Sequence, residues 1–234
     1  MLQSIKRFFI LFIISAIALE LYFVLRIATS PVLPFTSTAF QRTEIVKLFF
    51  SEGLIDWRHD WMSYKQISPN MKRAVLAAED SRFTQHRGVE WDAIRAAYSH
   101  NQDIQSQQKP GVIRGGSTIT QQLAKNIFLS SEQSYLRKGQ ELLLTYTFET
   151  FLSKEQLLEL YLNHAQWGRG VYGAEAASQK YFMTSAAKIN AKNAATLAAM
   201  LPNPVYYERH YRKSKYIRQR SAQIERGMSI VKIP

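Results

Sequence analysis

The chain has 234 residues, room for one ordinary domain plus an accessory segment, and a domain of that size can bury a proper core. It contains no cysteine, which excludes a disulfide framework and any thiolate metal site. Its formal charge of +12 and pI of about 9.9 favour anionic partners (nucleic acid, acidic lipid or a phosphorylated substrate) without choosing among them.

Residues 1–7 carry Lys6 and Arg7, and from Phe8 to Leu25 the chain reads FFILFIISAIALELYFVL, with Glu20 as the only charge. Eighteen residues at helical rise span roughly 27 Å, and continuation to Ala28 gives about 31 Å, enough to cross a bilayer core. Basic residues ahead of the run place 1–7 in the cytoplasm and everything after 28 outside. A cleaved signal peptide is the alternative. Against it, the run is long for one, and its A-x-A-like site (Ala16, Ala18) lies inside the apolar stretch, so an uncleaved anchor over 8–28 is the reading adopted. A carboxylate in lipid is costly, which puts Glu20 near the far interface or in a pair with Arg26.

Ser30-Pro31-Val32-Leu33-Pro34 is a proline-punctuated exit, and 29–56 forms a connecting region with a short helix around Glu44 to Phe50. Ser68-Pro69 is an N-cap and first-turn pair opening a helix with Met71, Val75 and Ala78 on one side. Ser117 reads as the cap of a helix running through Asn126. Ser153 with Gln156 is a capping box ahead of LLELYLN. Alanine-rich helices follow at 174–182 and 191–201, the second stopped by Pro202 and Pro204. With no strand alternation and no internal repeat, the fold class is mainly α. Residues 208–234 form a basic tail (Arg209, Arg212, Lys213, Lys215, Arg218, Arg220), read either as a solvated helix face or as a lipid-surface contact. An exported chain does not meet DNA, so nucleic acid is excluded as partner.

Three segments carry candidate chemistry. Glu79-Asp80 closes the helix opened by Ser68, ahead of Phe83, His86 and Gly88. Neighbouring helical side chains point about 100° apart, so one carboxylate of the pair can face a cleft, and the helix C-terminus disfavours its charge, which suits a general base. A solvated acidic pair is the plainer alternative. Gly115 to Asn126 (GGSTITQQLAKN) puts two glycines before a capped helix, with exposed N–H groups suited to anionic oxygens. Gln121 and Lys125 are one turn apart, as are Thr118 and Gln122, and the lysine could reach a phosphate. An ordinary capped amphipathic helix accounts for the same residues, and the spacing is not that of a nucleotide P-loop. In Arg137-Lys138-Gly139-Gln140-Glu141, Arg137 and Glu141 form either an exposed helical ion pair or a diphosphate contact with a second carboxylate beside it.

Taken in this order, EDSRFTQHRG (79–88), GGSTITQQLAKN (115–126), RKGQE (137–141) and KEQLLELYLNHAQWG (154–168) resemble the motifs of glycosyltransferase family 51, the peptidoglycan transglycosylases. GVYGAEAASQKYF (170–182) and LAAMLPNP (197–204) extend the resemblance over roughly 57–207, the expected glycosyltransferase domain. The resemblance implies a lysozyme-like α-helical head with a smaller membrane-associated jaw lobe, residues near 89–113 supplying part of the jaw and a flap. It implies an inverting lipid II polymerase of the bacterial inner membrane, single-pass with a periplasmic catalytic domain, making β-1,4-linked glycan and releasing undecaprenyl diphosphate. Glu79 would be the base on the acceptor 4-hydroxyl, and Glu141 with Arg137, Lys138 and Lys125 would meet the diphosphate. Asp80, Phe83, His86, Ser117, Thr118, Gln121, Gln122 and Asn126 would bind substrate or support Glu79.

No cofactor is required by the sequence, although a divalent cation, Mg or Mn, occurs at the diphosphate in parts of the family. Partners implied are lipid II, undecaprenyl-diphosphate-linked glycan, membrane lipids and other cell-wall synthesis or division proteins. A transpeptidase is not expected: the S-x-x-K at 185–188 lies within the glycosyltransferase region, and K-T-G does not occur. A glycan hydrolase and a non-catalytic scaffold are the competing readings. The cations of 125, 137 and 138 argue against the first, since cleaving neutral glycan needs no diphosphate clamp, and the retained carboxylates argue against the second. Met183 and Asn193 depart from the family's usual glycine and glutamate, and the stretch between His100 and Gly115 is long for it.

Overall fold

The computed structural model describes residues 2–53, 56–106, 115–129 and 134–234. The first helix, α1 (Leu2–Ala28), contains a single apolar stretch long enough to span a membrane, Gln3–Ala28. Its last turn is not free. Ile27 is fully buried, the Phe23 ring lies 4.9 Å from Phe128, and Phe35 just beyond lies 5.5 Å from the same ring. The Arg26 guanidinium sits 4.6 Å over Phe35 and donates to the Leu33 carbonyl at 3.2 Å. Glu20 therefore does not pair with Arg26; its Oε1 accepts from Gln140 Nε2 at 2.7 Å.

Helix α2 (Ala39–Glu52) is longer than the short helix expected at 44–50. Thr38 caps it reciprocally with Gln41, a T-x-x-Q box that the surrounding polar residues obscure. Helix α3 (Pro69–Glu79) opens on Ser68 as predicted, with Met71 and Val75 buried. Helix α4 (Trp91–Ser106) follows, leaving Trp91 and Tyr98 exposed; residues 107–113 of the expected jaw and flap lie outside the described residues. Helix α5 (Ile119–Phe128) starts one residue later than predicted. Its cap is Thr118, not Ser117, because only Thr118 has a glutamine three positions on to return the hydrogen bond.

Helices α6 (Tyr135–Phe151) and α7 (Lys154–His164) are separated by the Ser153–Gln156 capping box, as expected. Three strands that no alternation reveals follow from their length: β1 (Arg58–His59), β2 (Gln166–Gly168) and β3 (Val171–Tyr172). They form one sheet in the order β1-β3-β2, the first pair parallel and the second antiparallel. Helices α8 (Ala174–Phe182) and α9 (Ala191–Met200) match the alanine-rich predictions. Pro204 does more than stop the chain: as the first residue after the Asn203 cap it opens α10 (Pro204–His210).

Helix α9 lies at the centre of the core, where Ala194, Ala195, Ala198 and Ala199 let α3 and the last helix, α11 (Lys215–Gly227), approach closely. Ile217 and Ile224, two turns apart on α11, are buried, as are Met228 and Val231 beyond it. The segment set apart by its charge as a basic tail thus contributes side chains to the core, with Lys215 and Arg218 exposed on the opposite face.

Met183 is the one non-glycine residue with positive φ among the described residues (φ 52, ψ 37), and its side chain is 90% exposed. It ends α8 in the left-handed conformation, where a Cβ is costly and little packing compensates. Met183→Gly is expected to raise stability by about 1 kcal/mol, read as a rise of roughly 2–4 °C in the melting temperature of the detergent-solubilised chain. A lower melting temperature contradicts this account.

Candidate active site

Glu79 is the last residue of α3, and its Oε2 accepts from Gln122 Nε2 at 2.8 Å. The amide oxygen of Gln122 accepts in turn from the Tyr161 hydroxyl at 3.0 Å, so α5 and α7 together hold the carboxylate in one orientation. Burial raises the Glu79 pKa above the ordinary carboxylate range. The Gln122 hydrogen bond, Arg220 and Lys125 oppose the rise and the charge of Asp80 adds to it. The helix C-terminus predicted such a shift; desolvation is its main cause.

Asp80, the cap just beyond α3, has left the helical conformation (φ −162, ψ 76) and bonds to groups other than those around Glu79. It is buried, with Oδ2 accepting from the Ile119 N–H at 3.0 Å and Oδ1 lying 2.9 Å from His86 Nε2. The end of α3 is thereby tied to the beginning of α5. Thr118 Oγ1 donates to the Gly88 carbonyl and accepts from the Gln121 N–H at 3.2 Å. Of the N–H groups expected to meet a ligand's anionic oxygens, those of Ile119 and Gln121 are therefore engaged by the protein's own Asp80 and Thr118. The glycines have steric reasons. Gly88 has φ +84, and a Cβ there would stand 2.7 Å from Thr145 Cγ2; a Cβ on Gly116 would stand 2.8 Å from the Ile94 Cα. Phe83 is buried in the core beneath the Lys154 ammonium, 4.3 Å from its ring. Lys154 also pairs at 2.8 Å with Glu149, which accepts from Thr120 Oγ1 at 2.6 Å. Phe83, His86, Thr118 and Gln121 are thus framework around Glu79.

The cationic group forms where α5 packs against α6. Glu141 is 3% exposed and pairs with Arg137 Nη1 at 3.2 Å and with the Lys138 ammonium. Burial pushes the Lys125 pKa below the ordinary lysine value, Glu141 and Glu79 raise it, and Arg137 and Lys138 lower it further. Lys125 is thus within electrostatic reach of both carboxylates and both cations, and among the described residues it has no ion pair of its own. Arg137 Nε is buried without a hydrogen-bond partner among them. Of the remaining predicted positions, Asn126 is half-buried beside Lys125 and Ser117 is exposed.

Two residues of this neighbourhood escape sequence reasoning. Arg220, in the basic segment, donates to the Ala78 carbonyl at 3.0 Å and acts electrostatically on Glu79. Its signal was the spacing Ile217, Arg220, Ile224, which places it on the buried stripe of α11. Tyr161 lay within a recognised motif, but only the fold aims it at Gln122. A cavity of about 500 Å³ lies elsewhere, between residues 30–36, Trp61 and the Glu159 side of α7. Asp80, His86 and Glu90 bring ligand-type atoms within 4.8 Å of one another, yet both Asp80 oxygens are engaged and Glu90 pairs with Arg82.

Residues 49–229 match the family model described as Transglycosylase. A protein of Bordetella avium (strain 197N) named biosynthetic peptidoglycan transglycosylase is 54% identical over 198 residues, 85% of this chain and 82% of its own. Proteins of the same name from Bordetella pertussis (strain Tohama I) and Herminiimonas arsenicoxydans are 53% and 46% identical, the latter over 95% of this chain and 94% of its own.

If Asp80 is the joint between α3 and α5, Asp80→Ala leaves the Ile119 N–H and His86 without their acceptor. The expected loss is about 2–3 kcal/mol, seen as a fall of roughly 5–10 °C in melting temperature. A variant as stable as the parent would show that the joint is incidental.

Proposed function

The chain belongs to the transglycosylase family, and on that footing we propose that this peptidoglycan glycosyltransferase polymerises lipid II on the outer face of the cytoplasmic membrane. The observation that carries this reading is the placing of Lys125 on α5, one turn from the Gln122 that bonds Glu79 at 2.8 Å, where α5 packs against the helix that bears Glu141, Arg137 and Lys138. A base and a diphosphate-binding cation group within reach of one lysine suit a reaction in which a sugar hydroxyl attacks and a lipid diphosphate leaves.

In the proposed step the acceptor 4-hydroxyl of lipid II attacks the anomeric carbon of the growing glycan. A C–O bond forms with inversion, its proton passes to Glu79, and the bond to undecaprenyl diphosphate breaks. The raised pKa of Glu79 brings it nearer to operating pH, and Gln122 aims its carboxylate. Negative charge accumulates on the departing diphosphate, where Lys125, Arg137 and Lys138 stabilise it from fixed positions. Glu141 holds one cation on each carboxylate oxygen, so its role is to orient Arg137 and Lys138.

The donor set does not suit a protein-held Mg or Mn at the diphosphate. A hard cation prefers several free oxygens, whereas the cluster offers one carboxylate already paired twice, and no step is routed through a metal. The same cations disfavour glycan hydrolysis, which releases no diphosphate. Transpeptidation is not part of the proposal: Ser185 Oγ donates to Glu175 Oε2 at 2.9 Å and accepts from the Ala187 N–H, a structural turn rather than an activated nucleophile. The apolar α1 supports a single anchor, and Lys6 and Arg7 in its first turns, ahead of the run from Phe8, support a periplasmic domain.

Glu79→Gln is expected to lower lipid II polymerisation by about 10²–10⁴-fold. Because the folded pKa of Glu79 lies above its unfolded value, ionisation costs stability at neutral pH, and that cost disappears as pH falls through the folded pKa. The glutamine variant should therefore melt no lower than the parent at neutral pH. The parent's kcat–pH profile should be bell-shaped, with an acid limb above the usual glutamate value and an alkaline limb, from Lys125, below the usual lysine value. Near-normal turnover by the variant, or shortening of finished peptidoglycan without lipid II extension, would refute the mechanism.

A further inference from the structure

Glu20 is the single charged residue of the apolar run, and its partner is a neutral amide, Gln140, at 2.7 Å. Gln140 lies in the same turn of α6 as Arg137, Lys138 and Glu141. Along α1 every side chain from Gln3 to Leu19 is exposed, and Glu20 is the first that the rest of the protein covers. In the proposed orientation residues through Arg7 lie on the cytoplasmic side, and the bare apolar residues Phe8 to Leu19 rise roughly 18 Å, rather more than half of the ~30 Å of a bilayer core. The covered part of α1 that begins at Glu20 therefore lies in the outer half of the membrane, where the rest of the protein first meets the anchor.

Beyond Glu20 the two helices run side by side in the same sense. Glu20 meets Gln140; farther on, Phe23 packs on Phe128, whose ring lies 6.0 Å from Phe148. With α1 as the anchor, the N-terminal turn of α6 is the end that points toward the membrane, and Tyr135 and Leu136 there are 99% and 89% exposed, side chains suited to lipid. A diphosphate carried on a prenyl chain is confined to the plane where the chain leaves the hydrocarbon. Cations that bind it must be held at that height.

We propose that Glu20 is a positioning residue: by holding Gln140 it fixes the height of the 137–141 cation turn relative to the anchor, and so relative to the phosphates of a lipid-linked diphosphate. The inference rests on the functional reading above, that the substrate is lipid-linked. Water is scarce at this depth, so the acceptor has few replacements if Gln140 is lost, and α6 loses its fixed height relative to the anchor.

The test uses the full chain in vesicles of phosphatidylethanolamine and phosphatidylglycerol, with lipid II as substrate. Glu20→Ala and Gln140→Ala are each expected to raise KM roughly three- to tenfold with kcat held within about twofold. The double variant should be no worse than either single one. Glu20→Gln, whose amide oxygen can accept the same bond, should restore the parental KM. Should an alanine variant melt early, the exchanged pair E20Q/Q140E keeps one bond with roles reversed and should show parental KM; failure there overturns the proposal. Unchanged KM in Glu20→Ala, a loss confined to kcat, or additive effects in the double variant overturn it as well. A parent chain that makes no glycan overturns the functional reading instead, and so is told apart from failure of the Glu20 proposal.

Discussion

Asp80 accepts the first N–H of α5 while capping the end of α3, and the geometry around Glu79 depends on that joint. A carboxylate at a helix N-terminus satisfies an orphan donor and meets the positive end of the dipole. With α5 held there, Gln122 comes within 2.8 Å of Glu79, and Lys125, one turn on, comes within electrostatic reach of it. His86 and Gly88, in the segment that follows α3, and Thr118, the cap of α5, close the same joint. The charge that does not face the cleft fixes the place of the one that does.

Two opposite electrostatic solutions stand side by side in this protein. Glu141 is buried with two cations, Arg137 and Lys138, directly against its carboxylate oxygens. Glu79 has neutral Gln122 as its hydrogen-bonded partner, with Arg220 and Lys125 acting at longer range, so burial dominates and its proton affinity rises. Two carboxylates partnered this differently are suited to different tasks, one to exchange a proton and the other to hold cations in place.

The anchor and the basic C-terminal segment both belong to the fold rather than being appended to it. Ile27 and Phe23 pack into the head, Glu20 bonds to α6, and α11 covers α3 and α9 while sending Arg220 to the end of α3. A high net positive charge is thus distributed between a surface and a site, and composition alone does not separate the two.

Much of the helical content was legible in the chain because its signals are local. Ser68-Pro69, Ser153 with Gln156, and the alanine runs of α8 and α9 each act within a few residues, and each helix formed where those residues predicted it. The strands were not legible, since two or three residues cannot display an alternation, and Ser117 was preferred to Thr118 because two adjacent hydroxyls compete for one cap. The candidate site divides in the same way. The residue types and order of 79–88, 115–126 and 137–141 were enough to indicate the family. That Asp80 is a joint, that Tyr161 and Arg220 reach the Glu79 neighbourhood, and that Glu20 bonds to Gln140 were decided by tertiary structure, because each contact joins residues 39 to 142 positions apart, a separation only packing can close.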